Sequence, residues 1–243
     1  MRFLTAYASS SGQRIHKHKS GFLVAPSATA ARMNTLQHVT GNQVQNLPIR
    51  YLGVPLDYGR CKISYLDDII RRVQGRIAGW QGRFFSFGGR IILIKDVLSS
   101  LPIHLLAASS PPKAVIRRLE SIFSRFFWGT NDGRNKHHWL SWSSLCKPFQ
   151  EGGVAFRSLF DIYKALKLKL FWSLHHSEGL WARFLLAKYC DNLSFAAARH
   201  KPGCSKNWHE MLEIRSEFDD NTQFWLAAGN YPFFTSNWSG IGA

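Results

Sequence analysis

Ser64-Tyr65-Leu66-Asp67-Asp68-Ile69-Ile70-Arg71-Arg72-Val73-Gln74-Gly75-Arg76-Ile77-Ala78-Gly79-Trp80 is the stretch on which the fold turns. Leu66, Ile69, Ile70, Val73, Ile77 and Trp80 recur at spacings of three and four, so they share one side of a helix. Arg71, Arg72 and Arg76 lie on the opposite side. Ser64 reads as the cap of this helix, with Asp67 three positions on completing a capping box. Such a helix needs an apolar neighbour on one face and offers a cationic face to water or to a polyanion.

Downstream, Gly82, Gly88 and Gly89 mark a turn, and a second helix is expected from about Arg90 to Ser99, with Ile91, Ile94 and Leu98 inward. Pro102 stops or kinks it. A third helix opens at Ser110-Pro111-Pro112, where serine is a good cap and proline suits the first turn. Val115, Leu119, Ile122 and Phe126 form its core stripe, and Gly129 ends it. Residues 131–153 read as a polar, tryptophan-bearing loop in which Glu151-Gly152-Gly153 is a turn. Ser158 and Asp161 cap a long helix that runs through Ile162, Leu166 and Leu170 to about His175. Shorter helices are expected at 180–189 and 208–215. Phe224-Trp225-Leu226 and Phe233-Phe234, around Gly229-Asn230, read as a hairpin.

Upstream, residues 22–25 form a strand candidate and 28–39 a modest helix, while 47–56 are too rich in proline and glycine for helix and read as extended. The expected fold is therefore mainly α with minor β. Three regions are expected: residues 1–58 of strand, helix and extended chain; 59–130, a helical bundle; and 131–243, further helices ending in a β-hairpin.

Composition narrows the partners. Thirty-one Lys and Arg against fifteen Asp and Glu give a formal charge of +16, and no acid precedes Asp57. A field of that sign concentrates polyanions, nucleic acid foremost. With 45% hydrophobic residues, 18 Phe and 9 Trp, the chain has the means to build a core. Cys61, Cys146, Cys190 and Cys204 form no Cys-x-x-Cys pair, so neither a zinc ribbon nor a disulfide framework is indicated. A reducing compartment, nucleus or cytoplasm, is expected. No uninterrupted apolar run approaches the about 18 residues of a membrane span, so no membrane is expected as a partner. The first residues lack the apolar centre of a secretory signal; an abrupt start within a longer ancestral protein is expected instead.

Several phrases, in order, carry a resemblance. Ser11-Gly12-Gln13 through Lys19-Ser20, Tyr51-Leu52-Gly53-Val54-Pro55-Leu56, and Ala78-Gly79-Trp80 lead into Gly89-Arg90 and Leu93-Ile94-Lys95. Phe127-Trp128-Gly129, His138-Trp139-Leu140-Ser141-Trp142, and Cys146-Lys147-Pro148 with Glu151-Gly152-Gly153 follow. Phe224-Trp225 and Phe234 with Asn237-Trp238 close the series. Together they resemble the reverse transcriptases of plant LINE-type (non-LTR) retrotransposons over nearly the whole chain. Two positions depart from that pattern: His16 stands where Asn is usual, and Ala227-Ala228-Gly229-Asn230 replaces a glycine-rich turn.

The resemblance implies a palm end (1–58), a thumb-like region and a connecting region, gripping a template–primer duplex. The parent enzyme's catalytic Tyr-x-Asp-Asp belongs upstream of the first matching phrase, and its Mg²⁺ with it. No catalytic residue and no cofactor are therefore expected in this chain. RNA, DNA or an RNA–DNA duplex is the implied ligand, and a palm-containing polypeptide the implied partner. The ribonuclease H label that accompanies some such proteins does not transfer, because that domain's acidic cluster is not recognised here.

Tyr65-Leu66-Asp67-Asp68 spells the polymerase motif, but on a helix rather than the β-hairpin that motif needs. Two carboxylates in a first helical turn are accounted for by the positive end of the helix dipole. His137-His138 with Cys146, and His175-His176 with Cys190, lack metal-finger spacing. His138-Trp139 reads as packing, as do Trp80, Trp128 and Trp142. No GxSxG, Walker or GxGxxG motif is present. The candidate nucleic-acid contacts are Arg60, Lys62, Arg71, Arg72, Arg76, Arg83, Arg90 and Lys95, with Lys164, Lys167 and Lys169 as a second group. Three functional readings follow: a binding module, a polymerase acting only within a longer protein, and a retroelement relic.

Overall fold

The computed structural model describes residues 2–13, 16, 20–57, 61–80, 85–131, 134–135, 137–176, 179–190, 198–200 and 202–222. Among these described residues the chain is mainly α-helical with three two-stranded sheets, and it divides into two compact units, residues 1–58 and 59–243.

The first unit holds α1 (Arg2–Ser11), β1 (Gly21–Phe22), α2 (Ala30–Thr40), β2 (Gln43–Val44), β3 (Ile49–Tyr51) and β4 (Val54–Leu56). Thr29 caps α2, and Gly41 closes it in the left-handed conformation. β1 and β2 pair in parallel. The extended stretch expected at 47–56 is a hairpin, with Tyr51 opposite Val54 across Leu52-Gly53. Both turn residues have positive φ, which matches the twist of a two-residue hairpin. Among the described residues of this unit, only Val54 is a fully buried hydrophobic, while Phe3, Tyr7, Leu23, Val39, Tyr51, Leu52 and Leu56 are exposed.

The second unit is built on α6 (Lys113–Trp128), which buries Val115, Ile116, Leu119, Ile122, Phe123, Phe127 and Trp128. A 3-10 turn at Ile63–Leu66 leads into α3 (Asp67–Ala78), whose Ile69, Ile70 and Val73 are buried, and α3 packs on α6. The capping box expected at Ser64 does not form, because the 3-10 turn already occupies that position and Leu66 precedes the helix without a side-chain cap. α4 (Phe87–Ile92) begins three residues earlier than expected. Ser86 accepts the Gly89 N–H at 3.2 Å, so Gly88 and Gly89 lie inside the first turn. A π-helical turn, Leu93–Leu98, extends α4, and α5 (Ile103–Ala108) follows Pro102. The stretch Phe87–Ala108 is long and apolar enough to cross a membrane by composition. About a third of it is buried within the protein, Ile94, Leu98, Leu105 and Leu106 included, while Phe87, Ile92 and Ile103 are exposed.

Ser110 does not cap α6 either; Pro112 stands at that position with no side-chain cap. Gly129 does end α6, with φ of 80°, and a Cβ there would come within 2.6 Å of the Arg90 guanidinium. The segment expected to be loop contains α7 (Trp142–Cys146), capped by Ser141, and a 3-10 turn at Phe149–Glu151. Gly153 is buried where any Cβ would collide with the Lys147 carbonyl, so the Glu151-Gly152-Gly153 turn requires glycine. Short strands β5 (Thr130–Asn131) and β6 (Arg134–Asn135) pair between α6 and α7.

α8 (Leu159–His175) is capped by Ser158 as expected, but α6 takes part in the cap. Buried Glu120 accepts the Leu159 N–H at 2.8 Å and the Ser158 hydroxyl at 3.0 Å. The carboxylate meets the positive end of α8. The core stripe of α8 is Leu159, Lys167, Phe171 and Leu174, while Ile162, Leu166 and Leu170 are half-buried. Sequence periodicity misplaces the stripe because one of its members is a lysine.

Lys167 is 4% exposed. It meets Glu210 at 3.2 Å, donates to Ser110 at 2.9 Å and bonds the Asn207 amide oxygen. Tyr163 and Ser110 each donate to the same Glu210 oxygen at 2.6 Å, and Lys206 reaches Glu210 at 3.4 Å. Glu210 lies on α10 (Lys206–Glu213), capped by Ser205, and α11 (Arg215–Asp220) follows. With α9 (Gly179–Tyr189), these helices enclose a core of Phe171, Leu174, Ala182, Trp208, Met211 and Phe218. The hairpin expected at 224–234 lies outside the described residues.

Burial would raise the Glu210 pKa, but the hydrogen bonds from Ser110 and Tyr163 and the charge of Lys167 outweigh it and hold it below its ordinary 4.5. Burial also lowers Lys167, against the pull of Glu210. A depressed carboxylate contributes stability above its unfolded value and loses it as pH falls through the folded value. Glu210→Gln should therefore flatten the loss of stability below pH 4.5, read from urea midpoints across pH 2–6. Glu120→Ala should cost about 2–3 kcal/mol, with Glu120→Gln recovering part, measured by urea unfolding at neutral pH.

Candidate nucleic-acid interface

Because Leu66, Ile69, Ile70 and Val73 are buried, α3 must turn Arg71, Arg72 and Arg76 to solvent. The Arg71 side chain is 73% exposed and pairs with Asp68 one turn back. Arg118 of α6 reaches Asp67 at 3.6 Å. Such surface pairs contribute little stability, but they do claim the two acids at the start of α3. Among the described residues no acid pairs with Arg72 or Arg76.

Those two residues line an open groove of about 500 Å³ with Gly75, Gly79, Trp80 and Leu101. The positions 72, 75, 76 and 79 follow helical spacing, so they form one row along α3. A Cβ at Gly75 would meet nothing within 4 Å, so the glycine leaves open space beside the arginines. Trp80 is half-buried and packs on Phe126 with ring centres 5.5 Å apart. The sequence reading selected the arginines and missed the groove. The signal was two glycines one turn apart on the cationic face.

The remaining candidates are placed differently. Lys62 is exposed, with its ammonium 5.5 Å from the Tyr65 ring. Arg90 is half-buried and donates to the Phe127 carbonyl at 3.0 Å, satisfying the end of α6. Lys95 is half-buried with its ammonium 4.9 Å from the Phe149 ring. Arg60 and Arg83 lie outside the described residues. In the second group, Lys167 is buried on Glu210, Lys164 pairs with Glu217 at 2.5 Å, and Lys169 is exposed. Lys167 is thus a core residue rather than a surface cation.

Trp139 corrects the packing expectation, being 78% exposed beside exposed His137 and His138. Trp128 and Trp142 do pack: Trp142 stacks on Phe156 at 5.0 Å. The Cys146 thiol is pushed up to about 12 by burial, with Glu120 and Asp161 adding to it, which keeps it protonated and unreactive.

The motif that spells the metal site of the resembled enzymes lies in a helix. Asp67 and Asp68 stand in the first turn of α3, each facing an arginine. Guanidiniums beside both carboxylates oppose a divalent cation, and the helix keeps the pair off a hairpin. Among the described residues no three His, Cys, Asp or Glu side chains come together as a metal would need. The Tyr65-Leu66-Asp67-Asp68 site does not fit Mg²⁺.

Two plant proteins resemble the chain. A protein of Arabidopsis thaliana named as a "putative ribonuclease H protein" is 36% identical over 137 residues, covering 56% of this chain. The match takes in 22% of that relative, which extends well beyond it. An uncharacterized mitochondrial protein of Arabidopsis thaliana is 26% identical over 118 residues, or 48% of this chain and 77% of the relative. No protein-family profile matches the sequence. These similarities support a retrotransposon-derived protein.

The contrast between free and engaged cations is measurable. Arg72→Glu and Arg76→Glu should each change the unfolding free energy by less than about 0.5 kcal/mol. Arg90→Ala should lose about 1–2 kcal/mol, because a half-buried carbonyl is left without its donor. Urea titrations of the three variants check this.

Proposed function

We propose that the chain is a reverse-transcriptase-derived module of the LINE type that grips RNA, DNA or an RNA–DNA duplex by its phosphates, without reading sequence. The observation that carries this is the pair Arg72 and Arg76: exposed, without acid partners among the described residues, and held on a helix whose other face is fixed in the core. Phosphate contacts from such residues need no particular base, and they weaken steeply as salt competes for the polyanion. Arg71, exposed on the same helix, and Lys62, exposed before the 3-10 turn that leads into it, are further cations for this role. Arg90 and Lys95 support its neighbours from within.

In this reading polymerase chemistry belongs to a polypeptide that carries the palm carboxylates and their Mg²⁺. Residues 1–58 favour such a partner, since this unit has little core of its own and many exposed apolar side chains. The same observation favours a second reading, in which the chain is a relic whose first unit no longer has anything to pack against. The relic reading expects residues 1–58 to melt without cooperativity, and no salt-dependent binding.

Fluorescence anisotropy with a labelled duplex at increasing salt separates the two. The full chain should bind at low salt, with a log–log slope of roughly −2 to −3 for about three neutralised phosphates. Arg71→Glu, Arg72→Glu and Arg76→Glu combined should weaken binding by at least roughly tenfold, alike for unrelated sequences. A folded chain that binds nothing at low salt refutes the proposal.

A further inference from the structure

The α3 groove contains surface that phosphate contact does not use. Trp80 and Leu101 form an apolar part of its lining, beside the two arginines. Trp80 is held in place by Phe126, against which its ring is tilted by 41°, yet it still borders open space. Arg72 and Arg76 stand one helical turn apart, about 6 Å along the axis, and the row ends at Gly79, next to the indole. A Cβ at Gly75 would meet nothing within 4 Å, so this position leaves the row open between Arg72 and Arg76.

We infer that Trp80 is a stacking platform for a nucleobase, so that the groove takes single-stranded nucleic acid in preference to duplex. The inference rests on the nucleic-acid reading above and names the form of ligand that this site selects. A duplex hides its base faces inside the helix, whereas an unpaired strand presents each base as a flat apolar surface. Aromatic stacking then adds to phosphate attraction without favouring any sequence, since every base has a π-face. Arg72 and Arg76 engage the adjoining phosphates, and Leu101 covers the edge of the base.

The test compares two strands of equal charge. The full chain is titrated by anisotropy with an oligothymidylate of about twelve nucleotides and with an abasic deoxyribose-phosphate strand of the same length. The wild type should bind the thymidylate roughly 5- to 100-fold more tightly. Trp80→Leu should abolish that preference while leaving abasic binding and its salt slope unchanged, and Trp80→Phe should retain part of it. Equal binding of the two strands by the wild type overturns the stacking inference and leaves the phosphate-grip proposal standing. Binding of neither strand, nor of duplex, overturns both. A preference that survives Trp80→Leu removes Trp80 from the role. Should Trp80→Leu fail to fold, the wild-type comparison and Trp80→Phe still decide.

Discussion

A buried carboxylate governs how the second unit is assembled. Glu120 sits on the inner side of α6 and is satisfied by the first N–H of α8 and by the Ser158 hydroxyl. An ionised group in that position has no acceptable alternative: if α8 slides or rotates, the charge loses its donors in a place that water does not readily reach. The requirement fixes α8 against α6. α8 then carries Lys167 to Glu210 of α10, where Tyr163, Ser110 and Asn207 complete the hydrogen bonding. Two interior charges thus set the relative placement of α6, α8 and α10. Hydrophobic contacts alone would tolerate several registers.

α3 and α4 attach to the same central helix by apolar packing, with Arg90 closing the end of α6. The cationic face of α3 is consequently presented by a fixed scaffold. The formal charge of the chain overstates its free positive surface. Lys167, Lys164, Arg90 and Lys95 are engaged with acids, carbonyls or aromatic rings, whereas Arg72 and Arg76 face an open groove.

The existence of the helices, and the inward side of α3 and α6, could be read from spacing, since Leu66, Ile69, Ile70 and Val73 repeat with the helical period. Caps were less legible. Ser64 and Ser110 both looked like caps, but one lies in a 3-10 turn and the other serves Glu210. A serine's preference for helix starts is local, and a distant carboxylate can claim the same hydroxyl. The core line of α8 was hidden because a lysine in the right position reads as surface until its partner, 43 residues away, is known. The groove was hidden for the opposite reason. It is made by missing side chains, at Gly75 and Gly79, and periodicity counts only the side chains that are there.

Gly75 has a consequence for the helix itself. Glycine inside a helix weakens it by about 0.5–1 kcal/mol relative to alanine, and no packing offsets that on an exposed face. The segment from Leu66 to Val73 is clamped by burial, and the turn from Gly75 to Gly79 is tied down by half-buried Ile77 and, just beyond it, by Trp80 on Phe126. The glycine's cost is therefore borne by apolar anchors on either side of it, Val73 within the core and Trp80 at the helix end. A residue with a side chain at 75 would spare the helix that cost and fill the open space beside the arginines.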